Sequence, residues 1–198
     1  MTDTGIFYGT GAAEGVPSPF CDCPMCNYAR EHGGKDVRKR SCFRLGRNIM
    51  IDMGPDIFTQ ALQYGSMCDI EHVLITHTHD DHFNFTALGL MSMATHLRTT
   101  PVHFYFSEEG YRFIELLRDS EIAFGGTLRG MEKKGIYAFH KLKYFETYSI
   151  GEYEVTPIRG NHGGNMAKER SANYVLKAKD GTKMLYGMAV SYTHLTLP

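Results

Sequence analysis

The sequence has 198 residues, of which 42% are hydrophobic, enough for one domain with a substantial core. Its 21 lysines and arginines nearly balance 22 aspartates and glutamates, so no overall charge favours a nucleic acid or an anionic membrane surface as partner. The polar N-terminus and the short apolar window at 87–94 predict neither a signal peptide nor a membrane span. We therefore expect a cytoplasmic protein that needs no membrane.

Short apolar segments separated by turn residues predict a mixture of strands and helices. In chain order we expect strands at 6–8, 42–45 and 48–51, a helix at 57–64, a buried strand at 73–76, a helix at 85–97, a strand at 102–106, a helix at 109–117, and strands at 153–158, 174–178 and 183–186. The last two read as a hairpin around Asp180-Gly181. This order indicates a single α/β sandwich domain.

The C-terminal residues require a separate interpretation. The segment 191–198 resembles the translated adapter sequence that ends some sequencing-derived chains, so we interpret 188–198 as a non-native tail. The domain would then occupy 1–187, and the natural protein would be longer. An ordinary polar tail is the alternative interpretation.

Four potential metal ligands follow the strand at 73–76 within six residues. In a turn leaving a strand, His77 and His79 can point to one side, while Asp81 and His82 reach a second position. Neutral imidazoles and a carboxylate are ordinary ligands of Zn²⁺ and related ions, and two neighbouring ions can clamp both oxygens of a displacement. A histidine-rich surface turn is the alternative, which this spacing directly after a buried strand disfavours.

This His-x-His-x-Asp-His pattern resembles the signature of the metallo-β-lactamase superfamily. The resemblance implies an αββα sandwich, here missing its C-terminal portion, with two divalent ions, zinc or manganese, at the active site. One ion would be held by His77, His79 and His162, and the other by Asp81 and His82. Asp81 would also act as the catalytic residue that positions or deprotonates the attacking water.

Other parts of the superfamily pattern are present or missing. Asp52, in Ile51-Asp52-Met53-Gly54, resembles the aspartate that supports the site without binding metal. An aspartate that bridges both ions is expected after the strand at 183–186, but Met188-Ala189-Val190 stands there. A final histidine ligand is also missing, since His194 lies in the suspected tail.

Three of the five cysteines, Cys21, Cys23 and Cys26, are clustered, which favours a structural zinc site over a disulfide framework. Free thiols are the alternative. A glycine-rich segment at 9–17 precedes them. Together these features resemble the phosphodiesterases that act on cyclic phosphates in carbon–phosphorus lyase (phosphonate) metabolism. That resemblance implies a fourth ligand, a histidine from the C-terminal part, which this chain lacks.

A local basic run comprises Lys35, Arg38, Lys39 and Arg40. We interpret it as a solvated loop, with a phosphate-orienting rim as the functional alternative.

The function predicted from these features is metal-dependent hydrolysis of a small, cyclic phosphodiester. Two ions would generate a hydroxide that attacks phosphorus in line. The alternatives are another superfamily chemistry, either RNA 3′-end cleavage or thioester hydrolysis, and an inactive zinc-binding fragment. Nucleic acid is disfavoured as a partner because the chain has no basic surface excess, and a homodimer is left open.

Overall fold

In the computed structural model, which describes residues 4–94, 99–121 and 126–188, ten strands form two β-sheets. The strands are β1 (Gly5–Gly9), β2 (Cys42–Leu45), β3 (Ile49–Ile51), β4 (His72–Leu74), β5 (Val102–Ser107), β6 (Tyr137–Leu142), β7 (Tyr148–Ile150), β8 (Tyr153–Arg159), β9 (Ala172–Lys177) and β10 (Lys183–Tyr186). The first sheet has the order β1-β2-β3-β4-β5-β6, and the second has the order β10-β9-β8-β7.

Five α-helices accompany the sheets within the described ranges: α1 (Pro24–His32), α2 (Ile57–Tyr64), α3 (Phe85–Met93), α4 (Glu108–Leu117) and α5 (Leu128–Lys133). Local sequence explains where three of them begin. The side chains of Asn84, Ser107 and Thr127 each accept a hydrogen bond from a backbone N–H in the first turn of α3, α4 and α5. These side chains satisfy amide groups that have no partner inside the helix.

Strands β3, β4, β5 and β6 run parallel, so their carboxyl ends lie at one edge of the first sheet. The helices α2 to α5 occur in the connections between these strands, as parallel pairing requires. In open parallel sheets, side chains that follow the carboxyl ends of neighbouring strands converge on one crevice. Asp52 follows β3, and the histidine motif follows β4.

The core has two parts, one on each face of the first sheet. Side chains of α2, α3, α4 and α5 pack on the outer face around Met50, Val73 and Phe104. Between the sheets, Ile49, Ile51 and other residues of the first sheet pack against residues of the second sheet such as Val155, Tyr174 and Leu176. The described residues thus form a helix layer and two sheet layers of an α/β sandwich, and none of their helices contributes to the inter-sheet core.

Most of the elements predicted from the sequence are present, and the helix at 57–64 and the strand at 42–45 have the predicted bounds. The strand expected at 73–76 ends earlier, at Leu74, because Asp52 binds the backbone N–H of Thr76 with its side chain. Helices α1 and α5 and strands β6 and β7 were not predicted. The tail expected at 188–198 lies, except for Met188, outside the described residues, as do residues 95–98 of the helix expected at 85–97.

Within the described ranges, no helix is both long and apolar enough to cross a membrane.

Candidate metal centre

Asp52 lies at the centre of a buried hydrogen-bond network directly after β3. Its side chain is fully buried, and its backbone has φ of 62°, a conformation that aspartate tolerates better than most residues. The carboxylate accepts hydrogen bonds from the backbone N–H of Thr76 at 2.8 Å and from the hydroxyl of Thr76 at 2.9 Å. Burying a carboxylate without hydrogen-bond partners costs free energy, and these bonds offset that cost. They also fix the orientation of the carboxylate.

The same carboxylate orients His82. Oδ2 of Asp52 lies 2.6 Å from Nδ1 of His82. Since an ionised carboxylate only accepts, Nδ1 carries the proton, and Nε2 is directed toward Asp81. Burial alone would lower the pKa of His82, but Asp52 and Asp81 outweigh it and raise that pKa to about 10. An ion that binds Nε2 must therefore displace a proton.

The surroundings of His77 favour its neutral form, which could bind a metal ion. Its Nδ1 lies 3.0 Å from the hydroxyl oxygen of Thr76, which donates its own proton to Asp52 and so accepts from the ring. Nε2 of His77 is thereby left with a lone pair. Burial, followed by repulsion from the nearby rings of His82 and His79, lowers the pKa of His77 to about 2.

His77, His79 and His162 are brought together from two different sheets. Each offers a ring nitrogen, and these atoms all lie within 4.8 Å of one another. The ring centroid of His162 lies 4.8 Å from that of His77 and 5.3 Å from that of His79. His162 follows β8 of the second sheet, and burial together with the neighbouring His79 lowers its pKa.

Asp81 and His82 form a second pair beside these three histidines. Backbone N–H groups of His82 and Phe83 both donate to the carbonyl of His79 at 2.9 Å, and this turn places Asp81 next to His82. Nε2 of His82 lies 3.2 Å from Oδ2 of Asp81. Burial would raise the pKa of Asp81, but the hydrogen bond and charge of His82 outweigh it and lower that pKa.

The donor atoms suit divalent ions of the zinc type. Two ligands of a tetrahedral zinc are about 3.3 Å apart when each bond is about 2.0–2.1 Å, and the atoms of Asp81 and His82 already have this separation at 3.2 Å. The three histidines offer ring nitrogen atoms for a second ion. Asp80, at a variable position of the motif, is exposed and belongs to neither set.

Three supporting residues were not predicted from the sequence. Thr76 links Asp52 to His77, as described above, and Tyr174 donates a hydrogen bond to the carbonyl of Ile75 at 2.6 Å. Glu169 is buried and bonds both the backbone N–H and the hydroxyl of Thr78. Glu169 stands between Lys168 and Arg170, so its sequence context is typical of an exposed loop and gives no signal of burial.

The three clustered cysteines also lie together, with their sulfur atoms within 4.8 Å of one another. Cys23 immediately precedes α1, and Pro24 occupies the first turn, where no N–H is needed. The guanidinium of Arg30 donates to the carbonyls of Ser18 and Cys21 at 2.8 and 2.6 Å and so holds the loop against the helix. Three thiolates suit a structural zinc, and among the described residues no fourth ligand joins them.

The basic run is divided between structural and exposed positions. Arg40 forms an ion pair with Asp56 at 2.9 Å and donates to the carbonyl of Ala13. Lys35 and Arg38 are exposed and, together with residues of β1 and α2, line a cleft of about 240 Å³. Arg40 thus holds the glycine-rich segment in place, and the exposed cations agree with the interpretation of a solvated loop.

Comparison with protein families gives one match that covers most of the chain. The model described as "Beta-lactamase superfamily domain" matches residues 47–195. Among curated proteins, an octanoyltransferase of Porphyromonas gingivalis is 36% identical over 81 residues, which is 39% of this chain and 16% of that protein.

Solved structures with the same fold are more distant in sequence. A diphosphatase from the PhnP family has a TM-score of 0.67 and 22% identity, over 89% of this chain and 63% of that one. Zinc-bound PqqB from Methylobacterium extorquens has a TM-score of 0.68 and 16% identity, over 91% of this chain and 63% of that one. The short form of human tRNase Z has a TM-score of 0.53 and 22% identity, over 92% of this chain and 67% of that one. The chain therefore spans less than two thirds of the first two structures.

Proposed function

Because the chain belongs to the beta-lactamase superfamily and has the metallo-β-lactamase fold, we propose that it is a metal-dependent phosphodiesterase acting on a small, cyclic phosphodiester. The observation that carries the proposal is the pair of adjacent ligand sets. Nitrogen atoms of His77, His79 and His162 converge on one side, and Asp81 with His82 stands beside them.

When bound, two divalent ions, zinc or manganese, would supply a hydroxide nucleophile at neutral pH and positive charge beside the phosphoryl oxygens. The chain's own residues divide the remaining work. Asp52 and Thr76 hold the Nδ1 protons of His82 and His77, so that both Nε2 atoms face the site. Asp81 is the half-buried carboxylate at the site, and it would orient the attacking water and accept its proton.

The substrate class is supported by two features outside the histidine motif. Cys21, Cys23 and Cys26 follow a glycine-rich segment in the pattern of the cyclic-phosphate phosphodiesterases, and their sulfur atoms lie close enough for one structural zinc. A diphosphatase from the PhnP family is also among the solved structures with this fold. The balanced charge of the chain favours a small phosphodiester over a long nucleic acid.

The test is hydrolysis of bis(p-nitrophenyl) phosphate by the zinc- or manganese-loaded chain. We expect metal-dependent release of p-nitrophenolate, abolished in His79→Ala and in Asp81→Asn. The matched control is Asp80→Asn, which removes an exposed carboxylate from the same motif and should retain activity. Metal-dependent hydrolysis that survives in both ligand variants would sink the assignment of these residues. Cleavage of an acyl-thioester without cleavage of the phosphodiester would reject the substrate class.

A further inference from the structure

The position of His162 depends on its loop, because its ring has little other support. His162 is exposed, its ring lies beside the rings of His77 and His79, and no hydrogen bond joins either of its ring nitrogens to another described residue. His77 and His82, by contrast, are each held at Nδ1. Whatever fixes the backbone of the loop 160–171 therefore decides whether His162 meets the other two histidines.

All three polar groups of Thr78 bond that loop. The backbone N–H of Thr78 donates to Oε1 of Glu169 at 2.8 Å, and its hydroxyl donates to Oε2 at 2.6 Å. The hydroxyl oxygen also accepts from the N–H of Asn165 at 3.0 Å, and the carbonyl of Thr78 accepts from the Asn165 amide at 2.6 Å. Thr78 lies between His77 and His79, so the residue joining two of the histidines is fastened to the segment that carries the third.

Glu169 is an unusual residue for a buried position. Glu169 is 1% exposed, and no lysine, arginine or histidine among the described residues forms an ion pair with it. Its carboxylate is satisfied by the two groups of Thr78 and by the N–H of Met166 at 3.1 Å. Burial of a charge without a counter-charge is costly, and only such hydrogen bonds offset it.

The loop backbone is shaped to deliver this carboxylate. Lys168 has φ of 70°, which is uncommon for a residue other than glycine and turns the chain so that Glu169 points inward. Gly164 leaves room for the carboxylate, since a Cβ atom built there would lie 2.2 Å from Cδ of Glu169. The backbone N–H of Ser171 then donates to the carbonyl of His162 at 2.8 Å.

We infer that Glu169 is a positioning residue for the metal centre: through Thr78 it locks the loop 160–171 so that His162 is presented to the same ion as His77 and His79. This inference rests on the proposed function only in so far as the three histidines bind one ion. Glu169 itself touches neither the ion nor the substrate.

The test measures zinc affinity at the histidines by competition with a chelator. Zinc that the wild type binds and His162→Ala does not is assigned to the histidines, which distinguishes it from zinc bound at the cysteines. We expect Glu169→Gln and Thr78→Val to weaken zinc binding at the histidines by about tenfold, the lower end of what loss of an outer partner costs a metal site. Thr78→Ser, which keeps the hydroxyl, should restore affinity close to that of the wild type.

Two neighbouring glycines provide a matched pair that leaves Glu169 and Thr78 intact. Gly164→Ala places a methyl group against the carboxylate and should weaken zinc binding in the same way. In Gly163→Ala the added methyl group would lie 3.9 Å from the carbonyl oxygen of Glu169, the nearest atom among the described residues, and zinc binding should stay unchanged. Hydrogen–deuterium exchange of the metal-free chain should become faster across 160–171 in Glu169→Gln and Gly164→Ala, and stay unchanged in Gly163→Ala.

Wild-type zinc affinity in both Glu169→Gln and Thr78→Val would overturn the inference, as would a lower melting temperature without any change in affinity. If Glu169→Gln does not fold, the comparisons of Thr78→Val with Thr78→Ser and of Gly164→Ala with Gly163→Ala decide the question. Neither measurement needs catalysis. Zinc binding that depends on Glu169 in a chain without phosphodiesterase activity would reject the proposed function and leave this inference standing.

Discussion

Oδ2 of Asp52 and Nδ1 of His82 lie 2.6 Å apart in a pocket from which solvent is excluded. Asp52 is not placed to bind an ion itself, because its carboxylate is already engaged by Thr76 and His82. Its effect is to set which nitrogen of His82 faces the site. If His82 binds an ion, the strength of that binding would depend partly on a residue that does not contact the ion.

Asp52→Asn should lower zinc affinity at the histidine motif by roughly 10–100-fold, the usual cost of losing an outer-shell partner. Asparagine also tolerates the φ of 62° at this position, so backbone strain does not confound the result. The measurement is chelator competition, with Asp80→Asn as the control that removes an exposed carboxylate from the motif. Equal zinc affinity in Asp52→Asn and the wild type would contradict this role.

Gly54→Ala should destabilise the fold. A Cβ atom at Gly54 would lie 2.2 Å from the carbonyl oxygen of Asp81, and the backbone there cannot rotate away as a side chain could. We expect a loss of about 1–3 kcal/mol in the free energy of unfolding, as for other overpacked sites. Urea denaturation measures it, and Gly187→Ala, where no atom of the described residues lies within 4 Å, should be close to neutral.

Tyr174→Phe should cost about 1–3 kcal/mol of stability, because it leaves the buried carbonyl of Ile75 without the hydroxyl that donates to it at 2.6 Å. Tyr174 is fully buried between the sheets. Denaturant unfolding of the variant is compared with that of Tyr148→Phe, which removes a more accessible hydroxyl from β7. If both variants lose the same free energy of unfolding, the buried hydrogen bond contributes no more to stability than the hydroxyl of Tyr148 does.

A cluster of histidines away from the metal centre should make stability depend on pH. His103 and His140 are joined by a 2.8 Å hydrogen bond between ring nitrogens, and His72 lies beside His103 with its Nδ1 3.1 Å from the hydroxyl of Tyr105. Burial, more than any nearby charge, lowers the pKa of all three below 6.5, and Glu71 offsets part of this for His72 and His103.

Because these folded-state pKa values are depressed, the unfolded chain binds more protons than the folded chain once the pH falls below about 6.5. The cluster's contribution therefore makes the free energy of unfolding decrease as the pH is lowered from about 7 to about 5. In the double variant His103→Gln/His140→Gln this decrease should be shallower, as measured by urea denaturation across that range. An unchanged slope in the double variant would contradict the expectation.

The cysteine cluster predicts selective reactivity in the metal-free chain. Hydrogen bonds from the backbone N–H of Cys26 and then from the thiols of Cys21 and Cys26 lower the pKa of Cys23 to about 7. Near neutral pH we expect iodoacetamide to modify Cys23 before Cys26, whose pKa is raised, as measured by mass spectrometry, because the thiolate is the nucleophile. Added zinc should protect the cluster but leave the exposed Cys68 reactive. Equal alkylation of Cys23 with and without zinc would argue against a zinc site here.

The sequence predicted the parts of this site that consist of unusual residue types at short spacing. The turn from His77 to His82 and the cluster at Cys21, Cys23 and Cys26 were recognisable because such spacing is rare outside metal sites. The supporting role of Asp52 was implied only by the resemblance to the superfamily pattern, and its carboxylate lies 2.6 Å from Nδ1 of His82.

What the sequence did not predict depends on contacts between distant segments. Glu169 reads as part of a charged surface loop, and only the docking of that loop on Thr78 reveals its burial. Strand β6 was missed because its apolar residues, such as Phe139, are interrupted by His140 and Lys141, which the neighbouring strand accommodates. Helix α5 has six residues, too few for a helical period to be distinguished from chance.

The origin of the three histidines in two sheets has a consequence for how the molecule assembles. His77 and His79 can reach their places as soon as β4 joins the parallel strands, but His162 arrives only when β8 and its partners have packed across the inter-sheet core. An ion bound by all three would link the two sheets. Its binding would therefore require that the sheets have already packed together, and its removal would weaken the contact between the sheets before other parts of the fold.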